Sequence, residues 1–143
     1  MADREVALRS TLPRTVGRVA LGVFLVFAGV SHLTFARQEF TAQVPDWLPA
    51  GKDVVVLASG VVEISLGMAL LLLRKRRVSV GWVVAAFFVA VFPGNISQYV
   101  THSDAFGLDS DRARGIRLLF QPLLVLWALW STGAWKAWRK RAR

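Results

Sequence analysis

Residues Val54 to Leu73 read VVVLASGVVEISLGMALLLL, and this stretch decides the fold. Twenty mostly apolar residues rising about 1.5 Å each just span a hydrocarbon layer of about 30 Å. The one charge, Glu63, sits almost at the centre. An acid at the bilayer midplane costs roughly 2–4 kcal/mol even on lenient insertion scales, so the helix turns Glu63 toward protein or water, or keeps it protonated. Ser59, Gly60 and Gly67 stand at i−4, i−3 and i+4 from it, which places the acid on a face of small residues. Such a face lets another helix approach closely. The stretch reads as a membrane span packed inward around a buried carboxyl.

Three more apolar stretches flank it, at about 16–36, 78–99 and 116–135. With 54–73 they predict an all-α fold, a four-transmembrane-helix antiparallel bundle forming one integral membrane domain over 1–143. A basic start before an apolar run could also be a cleaved signal peptide, but the first segment is long and three spans follow it. The loop 37–53 contains VPDWLP (Val44 to Pro49), where two prolines and a tryptophan predict a rigid turn near an interface. Arg74-Lys75-Arg76-Arg77 is a basic turn short enough to make the second and third spans a hairpin. Pro93 predicts a kink or loosening in the last turns of the third span. The tail WKAWRKRAR reads as an interfacial anchor, and Trp127, Trp130, Trp135 and Trp138 as belt or packing residues.

Charge sets the orientation. Thirteen lysines and arginines fall in the amino-terminal tail through Arg18, the basic turn and the carboxy-terminal tail, against five on the other side. The positive-inside rule then makes both termini cytoplasmic, and the expected location is a bacterial cytoplasmic (inner) membrane. A composition 55% hydrophobic, with a mean hydropathy of +0.47, explains the net charge of +9 through topology, so nucleic acid is not an expected partner. The chain has no cysteine, which excludes disulfides, thiol catalysis, iron–sulfur clusters and thiolate zinc sites within it.

Helical rise gives each intramembrane polar residue a depth from the outer end of its span. His32 lies about 6 Å in, Asn95 and Gln121 about 8 Å, and Glu63 about 14 Å. Every span contributes one polar side chain, and all four fall in the outer half. Polar groups in lipid are expensive, so a shared pocket with Glu63 as its floor is the expectation. Arg117, one turn outside Gln121, would guard its mouth or pair with Glu63. A second reading stands beside this one: Asn95 and Gln121 repair backbone groups freed by Pro93 and Pro122, His32 touches headgroup water, and Glu63 fixes helix packing. No Walker, HExxH, GxSxG or GxGxxG motif occurs. His32 and Glu63 alone are an incomplete metal ligand set. Bis-histidine haem ligation would need His102, whose depth differs from that of His32 by more than about 12 Å.

The segments AGVSHLTF (28–35), VPDWLP (44–49), SGVVEISLG (59–67), VFPGNI (91–96) and QPLLVLWALW (121–130) resemble, in order, the DoxX-like membrane proteins. The resemblance covers about 17–130. It implies a four-helix membrane bundle, an accessory or redox-associated subunit linked to quinone chemistry, and recurrence of the family's histidine, acid and asparagine at His32, Glu63 and Asn95.

The expected function is therefore that of an accessory membrane protein, not itself a clear enzyme. Its outer pocket of His32, Glu63, Asn95, Gln121 and Arg117 would hold a small, partly apolar ligand such as a quinone. Two alternatives are proton-coupled transport through Glu63 and a scaffold for a larger membrane or redox complex. In the scaffold reading the small-residue faces (Gly17, Gly22, Gly29; Ser59, Gly60, Gly67) meet another chain, including a second copy of this one.

Overall fold

The protein is described here by a computed structural model covering residues 10–143; Arg4 and Arg9, counted in the charge bias, lie outside the described residues. Six α-helices follow in order: α1 (Leu12–Leu33), α2 (Arg37–Thr41), α3 (Lys52–Leu72), α4 (Arg77–Val100), α5 (Asp111–Thr132) and α6 (Ala134–Arg141), with a 3-10 turn at Arg74–Arg76. No strand occurs among the described residues. Four helical segments, α1, α3, α4 with its preceding turn, and α5, are long and apolar enough to cross a membrane. The expected all-α four-span architecture is the one observed.

Glycines set the closest contact. On α1, Gly22 and Gly29 are seven residues apart, and on α3 so are Gly60 and Gly67. In the antiparallel pair Gly22 meets Gly67 and Gly29 meets Gly60. A Cβ on Gly29 would lie 2.6 Å from the Gly60 carbonyl oxygen, and one on Gly67 would lie 2.7 Å from that of Gly22. Two backbones therefore touch where side chains normally intervene, as small residues at helix interfaces in lipid allow. The seam explains why α3, though joined to α4 by a tight turn, packs far more extensively against α1. It also consumes Gly22, Gly29, Gly60 and Gly67 within the chain. Gly17 is likewise covered, by Trp130, Ser131 and Trp127 of α5. These five glycines are thus covered by neighbouring helices of the same chain.

The second pair is α4 with α5, and α1 closes the bundle against α5. Gly81 of α4 lies directly under the Thr132 side chain, and the Trp127 indole donates to the Gly17 carbonyl oxygen at 2.9 Å. The core of Leu21, Leu25, Leu70, Val80, Val84, Phe88, Ala128 and Leu129 fills the half of the bundle nearer the basic ends.

Span boundaries differ from the hydropathy reading by a few residues: the first span runs over Leu12–Leu33 rather than 16–36, and the fourth differs at both ends. The fourth span begins at Asp111, five residues before the expected Ile116, because Ser110 caps it by accepting from the Ala113 amide at 3.2 Å and Asp111 suits the positive helix start. It ends at Thr132, short of Trp135. Gly133 adopts a left-handed φ of 77°, which terminates the helix and starts α6 in a new direction. The third span is helical through Pro93 to Val100, so the proline removes one backbone donor without ending the helix.

The basic end holds one more departure. Arg18 is only 3% exposed and donates to the Leu70 carbonyl oxygen. Leu70 is in the last turn of α3, where carbonyls lack helical donors and the dipole favours a cation. Arg18→Ala is expected to lower stability by about 2 kcal/mol through the orphaned carbonyl and the lost packing. Denaturant titration in micelles checks this, and an unchanged midpoint would remove the capping role.

Candidate functional site

Glu63 turns into the protein. It is 8% exposed, as is His32, and its Oε2 lies 3.0 Å from His32 Nδ1. Antiparallel geometry brings them together from different depths. The Gly29–Gly60 register places Glu63 about 9 Å deeper along the axis than His32. Side chains lean toward their own helix's N-terminus, so Glu63 leans outward from α3 while His32 leans inward from α1.

The imidazole is held from its own helix. His32 Nδ1 is 2.8 Å from the Ala28 carbonyl oxygen. That oxygen can only accept, so Nδ1 carries the proton. One N–H cannot serve two acceptors well, and Glu63 Oε2 is left buried without a hydrogen-bond partner among the described residues. An unsatisfied buried acceptor normally costs about 1–3 kcal/mol and calls for an explanation.

An aromatic column leads outward from this pair. The Phe40 ring of α2 stacks on the imidazole, centroids 3.3 Å apart and planes within 15°. Phe106, in the loop between α4 and α5, meets Phe40 edge-on at 4.7 Å. Arg117 caps the column with its guanidinium 5.1 Å from the Phe106 ring centre, a cation–π arrangement. Phe106 has a positive φ of 55°, and its amide donates to Glu39 Oε2 at 2.7 Å, which ties the loop to α2.

The four span residues expected around one carboxyl form two separate pairs instead, His32 with Glu63 and Asn95 with Gln121. Asn95 Nδ2 donates to Gln121 Oε1 at 2.8 Å, and Gln121 Nε2 donates to the Phe88 carbonyl oxygen at 2.7 Å. Phe88 is next to Val89, whose carbonyl loses its helical donor at Pro93. The Phe88 carbonyl is not the one that Pro93 frees, so the bond ties α4 to α5 without answering the backbone-repair reading. Arg117 makes no ion pair with Glu63 among the described residues. It donates to Gln98 Oε1 at 3.1 Å and Gln43 Oε1 at 3.2 Å, joining α5, α4 and the 42–51 loop.

Phe40, Phe106, Gln43 and Gln98 were not singled out by the sequence reading. Gln98 had a signal, since it stands at i+3 from Asn95 on the same face of α4 and is 1% exposed. Phe40 and Phe106 had none, because their meeting depends on how two loops fold over the bundle. The loop bearing Phe106 is set by Arg114, 6% exposed, which donates to Asp104 at 2.8 Å, to Asp111 at 2.9 Å and to the Leu108 carbonyl at 2.9 Å.

No curated protein and no solved structure matches the chain. One family model does, over residues 21–132, from within α1 to the end of α5, thereby including the glycine seam, the His32–Glu63 pair and the Asn95–Gln121 pair. The chain belongs to the family described as a domain of unknown function, DUF8561.

Proposed function

We propose that this chain is a DoxX-like accessory or redox-associated protein of the bacterial cytoplasmic membrane. It holds a small, partly apolar ligand with hydroxyl or carbonyl oxygens, such as a quinone, at the His32–Glu63 pair. The observation that carries the reading is Glu63 Oε2, a buried acceptor with no donor among the described residues, 3.0 Å from an imidazole nitrogen. As a carboxylate it accepts from a quinol hydroxyl, and as an acid it donates to a quinone carbonyl. A carboxyl beside an imidazole is suited to passing a proton to or from such an oxygen. Phe40, stacked flat on His32, stands where a planar ligand ring would lie, so binding exchanges one aromatic stack for another. Asn95, Gln121 and Arg117 act indirectly, by holding α4, α5 and the Phe106 loop in place around the column.

The test is a titration of the purified protein in nanodiscs with a water-soluble quinone analogue. Glu63→Gln keeps the size of the side chain and removes its acid. The variant is expected to bind about tenfold more weakly, equivalent to about 1.4 kcal/mol. Equal affinity in both proteins rejects the role of Glu63.

A further inference from the structure

A half-open cavity of about 260 Å³ lies at the basic end of the bundle, far along the spans from His32 and Glu63. Its walls are Arg14 of α1 and Trp135, Lys136, Arg139, Lys140 and Arg143 in and just beyond α6. The left-handed Gly133 produces the arrangement by releasing α6 from the axis of α5. Lys136, Lys140 and Arg143 then recur at i, i+4 and i+7, and Trp135 with Arg139 at i and i+4, so one side of the segment gathers its cations. Arg14 faces them from the first turn of α1.

Five cations share one cavity, no Asp or Glu side chain of the described residues lines it, and none of the five forms an ion pair among the described residues. Like charges this close repel, and an anion entering the cavity relieves all five at once. The geometry points to a binding site for the phosphate ester of an anionic phospholipid headgroup. Phosphate chemistry alone would also admit free inorganic phosphate. Two indoles favour the lipid: Trp135 and Trp138 are both about half exposed, with rings 5.5 Å apart. They occupy the position of an aromatic belt, where one edge meets headgroups and the other acyl chains. Basic pockets at helix ends take anionic lipids in this way. The site is independent of the His32–Glu63 reading and stands if that reading fails.

Delipidated protein in neutral detergent, titrated with phosphatidylglycerol or phosphatidylcholine and read by native mass spectrometry, tests the site. The wild type is expected to retain phosphatidylglycerol about tenfold more tightly than phosphatidylcholine. The triple variant Lys136→Gln/Arg139→Gln/Lys140→Gln is expected to lose that preference. Arg74→Gln/Lys75→Gln/Arg76→Gln makes the same charge change on the exposed turn after α3 and is expected to keep it. Arg14→Gln, on the opposite wall, should weaken the preference severalfold, and it serves if the tail variant misfolds by circular dichroism. Absence of preference in the wild type, or equal loss in both triple variants, overturns the site in favour of long-range charge attraction. Millimolar inorganic phosphate should leave phosphatidylglycerol bound; its displacement overturns the lipid assignment.

Discussion

Gly29→Val is expected to cost at least about 3 kcal/mol of stability, the upper range for forcing atoms into a well-packed contact. The reason is the kind of atom met. A Cβ at Gly29 would lie 2.6 Å from the Gly60 carbonyl oxygen and 2.9 Å from the Ile64 amide nitrogen, both backbone atoms of a helix that cannot rotate away. Relief requires α1 and α3 to separate along the whole seam, which also parts His32 from Glu63. Gly29→Ala meets the same atoms but gains about 1 kcal/mol of helix propensity, so a net loss of about 1–2 kcal/mol is expected. Gly60→Val is expected to match Gly29→Val, because the two glycines share one contact, and the double variant should fall short of the sum. Gly51→Ala is the control. Its nearest neighbour is the flexible Val54 side chain at 3.9 Å, and it should stay within about 0.5 kcal/mol of the wild type. Unfolding by denaturant in mixed micelles measures all five. A Gly29→Val protein as stable as the wild type would disprove the backbone contact.

Arg117→Met carries the second large effect, about 3 kcal/mol. Methionine replaces the aliphatic stem but leaves Gln98 Oε1 and Gln43 Oε1 without donors. Hydrogen bonds to a charged group contribute about 1.5–3 kcal/mol each, and burial of Gln98 at 1% exposure leaves no water to substitute. The cation–π contact with Phe106 is lost as well. Arg117→Lys is not expected to rescue, since a single ammonium cannot reproduce the fork that serves two glutamines at once. Limited proteolysis supplies the readout specific to this role. Cleavage within 42–51 and 101–110 should accelerate in both variants while the spans stay intact. A variant with unchanged cleavage and unchanged midpoint would show that Arg117 does not latch the loops.

The sequence by itself determined the number of spans, their antiparallel order and the inward turn of Glu63. These follow from local quantities. The length of an apolar run, the cost of a charge in lipid and the spacing of small residues on one helical face each depend on a few neighbouring positions. Hydropathy located the spans to within a few residues, and missed most where a side-chain cap at Ser110 overrode it. Tertiary structure alone decided the partners. Asn95 and Gln121 lie at the depth expected of pocket residues, yet they satisfy each other and the Phe88 carbonyl, because the α1–α3 glycine seam commits those helices to one another and leaves α4 and α5 as a second pair. Phe40, in the short α2, and Phe106, in a loop, have no periodicity to announce them. Only the folding of both loops over the outer end stacks them onto His32. Depth along a helix is written in residue number, whereas the direction of approach of a neighbouring helix depends on which backbones can touch.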